Sequence, residues 1–141
     1  MNSLRISEAA SLGLHTMALL AAYPTQTLST KDIATTLRVS EAHLAKILQR
    51  LGRAGLVSSQ RGPKGGFSLA LPGDQITLLD VYQAVEGALE PPGCLLGTPA
   101  CNGNCILGGL LHKMGQEVRD YFSRNKLSDF SDSFQLEARH A

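Results

Sequence analysis

The pattern of hydrophobic and polar residues predicts three helices in the first third of the chain. Ser7 stands before an apolar stretch that continues to Ala22, which is the position of a helix N-cap. Ser29 opens a capping-box-like start of a second, short helix that ends near Leu37. Ser40 resembles a third N-cap, and the apolar residues that follow it recur at helical spacing: Leu44, Ile47, Leu48 and Leu51.

A β-hairpin is predicted directly after these helices. Two short strand-like runs, Leu56–Ser59 and Phe67–Ala70, flank the segment Gln60–Gly66, which is rich in glycine and also contains proline. Two short helices joined by a few residues form a helix-turn-helix unit. The order helix, turn, helix and basic-tipped hairpin predicts a winged helix.

The second half of the chain predicts two more helices on either side of a glycine- and cysteine-rich loop. Thr77 begins a capping box whose helix runs to about Glu86, and a long amphipathic segment extends from about Asn104 to Ser123. One small domain has little core left to cover that apolar stripe, so we expect a dimer interface between two copies of this helix. The predicted fold is therefore mainly α with a small β-hairpin. Residues 1–73 form a winged helix-turn-helix region, and residues 74–141 form a cysteine loop and a dimerisation helix within one integrated domain.

Composition and charge narrow the class of protein. The 141 residues are 43 % hydrophobic, which fits one globular domain, and no apolar run reaches the roughly 20 residues of a membrane span. No signal peptide is recognised, so we expect a cytoplasmic protein. The net charge of +1 conceals an asymmetry: residues 1–72 carry eight basic and three acidic side chains, and residues 73–141 carry five and nine. A basic half of +5 joined to an acidic half of −4 indicates a polyanionic partner, although a solvated surface explains charge alone equally well.

The basic half supplies the candidate DNA contacts. The N-terminal residues of a recognition helix are usually those that reach base edges in the major groove, whereas basic residues further along contact phosphates. The candidates are Ser40, Ala42 and His43 for base edges, Lys46 and Arg50 for phosphates, and Arg61 and Lys64 at the tip of the wing.

Three cysteines, Cys94, Cys101 and Cys105, lie within twelve residues. Three thiolates suit a zinc site or an iron–sulfur cluster that takes its fourth ligand from elsewhere, and regulatory or inert thiols remain the alternatives. Spacing alone leaves that ligand open between His15, Glu8 and the poorly placed His112. A redox enzyme or electron carrier would leave the basic helix and wing unexplained, so we predict no enzymatic activity.

Residues 44–70 (LAKILQRLGRAGLVSSQRGPKGGFSLA), together with Ile76–Val81 and Ala84–Gly87, resemble the bacterial Rrf-two family of winged-helix transcription regulators. This family includes the iron–sulfur assembly regulator and the nitric-oxide-sensing repressor. The similarity extends from about Ile6 to about Tyr121. It implies a bacterial homodimer in which the long C-terminal helices cross. Each subunit would present one winged helix to a double-stranded DNA operator.

The resemblance also implies an iron–sulfur cluster on Cys94, Cys101 and Cys105. His15 matches a position that supplies the fourth ligand in some members, from this chain or from the partner subunit. A two-iron (2Fe–2S) cluster is favoured over a four-iron (4Fe–4S) cluster. The implied function is a repressor whose operator binding is switched by the state of the cluster. The alternative is the same regulator with a thiol or zinc switch and no cluster.

Overall fold

The computed structural model describes residues 6–89, 94, 96 and 100–136. Its elements in chain order are α1 (Glu8–Ala22), α2 (Thr30–Leu37), α3 (Glu41–Arg53), β1 (Val57–Gln60), β2 (Gly66–Leu69), α4 (Leu78–Glu86) and α5 (Leu110–Arg124). Two short 3-10 turns, Gly73–Gln75 and Leu127–Phe130, precede α4 and follow α5. The expected class, mainly helical with a two-stranded hairpin, is confirmed.

The four helices whose starts were predicted from N-capping residues begin at the predicted positions, directly after Ser7, Ser29, Ser40 and Thr77. The hydroxyls of Ser7, Ser29 and Ser40 each accept a hydrogen bond from the backbone N–H three residues further on, at 3.0–3.1 Å. At α4 the capping box is complete, because Thr77 and Asp80 each accept from the backbone N–H of the other. These short-range bonds satisfy donors that a helix start leaves unpaired, which is why they can be recognised in the sequence.

The predicted start of the last helix near Asn104 is wrong, because α5 begins at Leu110. Two adjacent glycines explain the difference. Gly108 has a left-handed φ of 51°, and its N–H donates to the Cys105 carbonyl in a turn that a regular helix cannot contain. The amphipathic spacing continues across these residues, but their backbone is not helical.

The core is built around α1. Its residues Met17, Leu19 and Leu20 are almost completely buried, and the helix packs against α4 along much of its length. Gly13 allows the two helices to come close: a Cβ at this position would lie 2.7 Å from Cγ2 of Val85. The last turn of α4 is thereby held against the middle of α1.

The C-terminal end of α5 is fixed to the start of α4. The N–H of Leu78 donates to the Asn125 carbonyl at 3.0 Å, and the N–H of Leu127 donates to the Ile76 carbonyl at the same distance. Ile76 and Leu127 are both fully buried. Large hydrophobic side chains on and before α5 are nevertheless exposed: Ile106, Leu110, Met114 and Tyr121.

Candidate nucleic-acid interface and cysteine segment

α2 and α3 form the helix-turn-helix. The turn between them is made by Arg38, which has a left-handed φ of 59°, and its N–H donates to the carbonyls of Ala34 and Thr35 at the end of α2. Ile33 and Ala34 of α2 are buried together with the apolar side of α3. α3 is therefore held with its opposite side toward solvent.

One side of α3 is buried and the other is exposed, as the hydrophobic pattern predicted. Leu44, Ile47, Leu48 and Leu51 are buried. The candidate DNA contacts on and before this helix are exposed: Ser40, Ala42, His43, Lys46 and Arg50. The Ser40 hydroxyl is already engaged with the His43 N–H at 3.1 Å, so it caps the helix.

Arg50 differs from the other exposed residues of α3 because its guanidinium has a protein partner. Its Nη1 donates to the Val85 carbonyl at 3.1 Å, at the end of α4. The sequence predicts Arg50 as a phosphate contact, and nothing in the pattern around it indicates a bond to a residue 35 positions away.

The wing is the antiparallel hairpin of β1 and β2, in which Val57 pairs with Leu69 and Gln60 with Gly66. Each strand is displaced by one residue from its predicted bounds. Leu56 lies outside β1 because its N–H donates to the Leu51 carbonyl and so closes the end of α3. Arg61 and Lys64 are exposed on the turn between the strands, which the Gly65 N–H closes by donating to the Gly62 carbonyl at 2.9 Å.

The wing is also joined to the start of the helix-turn-helix. The N–H of Leu28 donates to the Phe67 carbonyl at 2.9 Å, and the N–H of Phe67 donates to the Leu28 carbonyl at 2.7 Å. Gly66 permits this approach, because a Cβ there would lie 2.4 Å from the Leu28 carbonyl oxygen. Glycine at position 66 is thus required by contacts within the protein, in addition to any approach to DNA.

The three cysteines are exposed free thiols. Among the residues that the structure describes, no three or more His, Cys, Asp and Glu side chains are grouped so that they could hold a metal ion. The donor set fits a thiolate-bound centre in its chemistry, since three unpaired sulfurs occupy irregular backbone between α4 and α5. The single chain does not gather them with His15.

His15 lies on α1 in an orientation that leaves one ring nitrogen for a ligand. Its Nδ1 is 2.6 Å from the Ser11 carbonyl oxygen, and because a carbonyl only accepts, Nδ1 carries the proton. Metal-binding histidines commonly donate one ring N–H to such an oxygen and bind through the other nitrogen. The imidazole and the Phe134 ring pack in a T-shaped arrangement, with centroids 5.4 Å apart. Glu8, His15 and His43 line one open groove of about 570 Å³, and none of the cysteines lines it.

Sequence reasoning missed a set of contacts where the chain leaves α4 and enters the cysteine segment, the part between α4 and α5 that carries Cys94, Cys101 and Cys105. The Ser7 hydroxyl donates to the Glu86 carboxylate, and Arg119 of α5 donates to the Leu89 carbonyl at 2.6 Å. Nearby, burial raises the pKa of Tyr82, and the negative charge of Glu86 raises it further. Ser7 and Glu86 are 79 residues apart in the sequence, and Arg119 and Leu89 are 30 residues apart, so no local sequence pattern predicts these bonds.

Within the described part of the chain, no helix combines the length and apolar character needed to cross a bilayer.

Comparison with known proteins agrees with the winged-helix architecture. A family model described as Rrf2, iron-dependent transcriptional regulator, matches residues 6–133. The chain is 41 % identical over 111 residues to YwgB of Bacillus subtilis, a putative HTH-type transcriptional regulator, covering 76 % of this chain and 69 % of that protein. It is 34 % identical over 104 residues to the HTH-type transcriptional regulator NsrR of Shouchella clausii, covering 71 % and 70 %.

Two solved structures share the fold. CymR (YrzC), the global cysteine regulator of B. subtilis, superposes with a TM-score of 0.78 at 29 % identity, covering 93 % of this chain and 98 % of CymR. IscR of T. potens superposes with a TM-score of 0.72 at 25 % identity, covering 92 % and 87 %. The resemblance inferred from residues 44–70 is confirmed, and these relatives are regulators of transcription rather than enzymes. The chain belongs to the Rrf2 family of helix-turn-helix transcriptional regulators.

Proposed function

We propose that this regulator is a homodimeric repressor whose operator binding is switched by an iron–sulfur cluster on Cys94, Cys101 and Cys105. The observation that carries the proposal is the set of three exposed, unpaired thiols between α4 and α5, in a chain whose other half is a winged helix. The cluster would supply a redox- and ligand-sensitive centre. We place its action in the bacterial cytoplasm, where the operator is found and thiols stay reduced.

The DNA-binding half of the proposal assigns roles by position. Ala42 and His43 lie in the first turn of α3, at the end that enters the major groove in helix-turn-helix proteins. Lys46, Arg61 and Lys64 are exposed cations suited to phosphate oxygens. Ser40 is assigned to the helix cap and a backbone phosphate, since its hydroxyl accepts the His43 N–H and still has a proton to donate.

The dimer half of the proposal rests on α5. Leu110, Met114 and Tyr121 are 53 %, 36 % and 45 % exposed, and their spacing places them on one side of the helix. A second copy of α5 would bury these side chains. In such a dimer the partner's cysteine segment would be free to approach His15, which the described residues of the single chain do not group with the three cysteines.

Anaerobic purification of the full chain tests the cluster. We expect a coloured protein with visible absorption bands and with iron and acid-labile sulfide in equal amounts. The triple Cys→Ser variant at positions 94, 101 and 105 should be colourless and keep its far-ultraviolet circular dichroism. Iron and sulfide contents per chain then distinguish two-iron from four-iron clusters, and gel-shift assays compare operator binding with and without the cluster. A colourless wild-type protein without iron would exclude the cluster.

A thiol or zinc switch is the second candidate. The thiol switch is favoured by the exposure of Cys94, Cys101 and Cys105, because exposed thiols are open to oxidants, and the same three sulfurs are ligands that zinc accepts. The same preparation decides between the two. Retained zinc, or disulfide-linked dimers that appear on oxidation and change DNA affinity, would support this candidate over the cluster.

A further inference from the structure

The chain that enters the cysteine segment is held by side chains from three different helices. Ser7 at the start of α1 binds the Glu86 carboxylate, Arg50 of α3 binds the Val85 carbonyl, and Arg119 of α5 binds the Leu89 carbonyl. Only Arg50 belongs to the helix that is proposed to read DNA. It therefore provides a hydrogen-bonded link between that helix and the chain that leads to the cysteines.

The bond from Arg50 fills a need of the α4 terminus. The helix ends at Glu86, and Gly87 adopts a left-handed φ of 86°, so the Val85 carbonyl has no partner in a following helical turn. A guanidinium supplies the missing donor, and its charge is favourable at the negative end of the helix dipole. The planar guanidinium of arginine is pre-organised, so less conformational entropy is lost per hydrogen bond than with a lysine ammonium.

The position of Arg50 along α3 also separates it from the base-reading end. It lies ten residues after Ser40, which corresponds to about 15 Å of helix. Its guanidinium is directed to α4, whereas Lys46, one turn earlier, is an exposed cation on the same helix.

We propose that Arg50 is a positioning residue that couples the recognition helix to the conformation of the chain entering the cysteine segment. A change of state at the cysteines would move residues 85–89, and the bond from Arg50 would carry that movement to α3. The inference rests on the proposed function only in taking the cysteines as the place where the signal is received. It applies to a cluster, a zinc ion or modified thiols alike.

Two measurements on the full-length protein test the coupling, with Arg50→Ala as the variant and Lys46→Ala as the matched control. The first is amide hydrogen exchange of the reduced, metal-free protein, which needs no cofactor. We expect exchange in residues 85–89 to be about 2- to 10-fold faster in Arg50→Ala, as for loss of one hydrogen bond, and unchanged in Lys46→Ala. Equal exchange in Arg50→Ala and wild type would overturn the proposal.

The second measurement is DNA affinity as a function of salt, with thiols either reduced or alkylated by iodoacetamide, on a duplex selected from a random pool by the wild-type protein. We expect Arg50→Ala to bring the affinity ratio between the two thiol states toward one, with an unchanged salt slope. A residue that only contacts phosphate would weaken both states equally and lower the slope by about 1, which is the result expected for Lys46→Ala. That result for Arg50→Ala would overturn the coupling.

Two further outcomes remain interpretable. If alkylation leaves wild-type affinity unchanged, a change at the thiols is not transmitted to α3 and the coupling is overturned, even where hydrogen exchange shows that Arg50 holds the α4 terminus. The proposed function is judged separately, by the iron and sulfide contents of the anaerobic preparation. If Arg50→Ala does not fold, Arg50→Lys replaces it in both measurements. The lysine keeps the charge without the fork, and an intermediate effect on exchange and on the affinity ratio is expected.

Discussion

The absence of a side chain at Gly13 sets how closely α1 and α4 can pack. A Cβ at position 13 would lie 2.7 Å from Val85 Cγ2, closer than packed atoms tolerate. Valine has few rotamers in a helix, so the contact can be relieved only by moving a backbone. The bond from Arg50 to the Val85 carbonyl lies in the same turn of α4.

Gly13→Ala is expected to lower the free energy of unfolding by about 1 kcal/mol. Overpacking costs about 1–3 kcal/mol, and the better helix propensity of alanine returns about 1 kcal/mol. Gly52→Ala is the control, because a Cβ there meets only Val57 at an ordinary 3.9 Å, and this variant should gain up to about 1 kcal/mol. Urea denaturation followed by circular dichroism measures both. Equal stabilisation by the two substitutions would show that the helices separate without cost at Gly13.

His15→Ala tests whether His15 supplies the fourth ligand of the proposed cluster through one ring nitrogen. Because Nδ1 is bound to the Ser11 carbonyl, only Nε2 is available to iron, and its loss should alter the absorption bands and shorten the lifetime of the cluster in air by about tenfold. His112→Ala is the control, since His112 is an exposed histidine on α5. Spectra and lifetimes identical to those of wild type in both variants would exclude His15 as a ligand.

At the scale of elements, the wing presents a short hairpin whose turn is shaped by its own backbone. A Cβ on Gly65 would lie 2.2 Å from the Gln60 carbonyl oxygen, so the turn closes only with glycine at this position. Arg61 and Lys64 are consequently carried on a tightly closed turn. Their proposed role is to grip the DNA backbone beside the groove that α3 enters.

Arg61→Ala should weaken DNA binding about tenfold, the loss expected for one charge-assisted contact of about 1.5 kcal/mol, and reduce the salt slope by about 1. Fluorescence anisotropy with a labelled duplex over a range of salt concentrations measures both quantities. Arg124→Ala removes the same charge from an exposed site near the end of α5 and should change neither quantity appreciably. Equal affinities for Arg61→Ala and wild type at physiological salt would remove Arg61 from the interface.

Comparison of elements shows which features a sequence can disclose. The starts of α1 to α4 were predictable because a capping side chain binds an N–H only three residues away. The start of α5 was not, because apolar spacing continued through Gly108, whose left-handed backbone interrupts the helix. The bond from Arg50 to the Val85 carbonyl could not be predicted either, since it depends on how α3 and α4 pack together. For the cysteines, the sequence supplies the donor atoms, and the described residues of the single chain do not group them around one centre.

At the scale of the whole molecule, the described residues of the acidic half leave an apolar surface exposed. Ile106 is 99 % exposed, and the exposed side of α5 continues from Leu110 through Met114 to Tyr121. The buried residues Leu111 and Phe122 anchor the helix from a direction about 90° around its axis from this side. Burial of the exposed side against a second copy would complete both the core and the proposed operator-binding unit.

Met114→Lys should therefore convert the dimer to monomers at micromolar concentration, because a charge would be buried without a partner in the proposed interface. Sedimentation equilibrium measures the change in mass, and operator affinity should fall with it, since only one half-site is then held at a time. Gln116→Lys adds the same charge about 200° away around the helix and should leave the mass unchanged. A monomeric wild-type protein, or a dimeric Met114→Lys, would contradict the proposed interface.

The paired hydrogen bonds between Leu28 and Phe67 have a consequence for how such a regulator can respond to a signal. They join the wing to the chain just before α2, so we expect the wing and the helix-turn-helix to move as one unit. The base pairs recognised within one half-site should then be the same in every signalling state. A signal would instead change the distance and angle between the two winged helices of the dimer. Operators whose occupancy changes differently with the same signal should therefore differ in the length of the spacer between their half-sites.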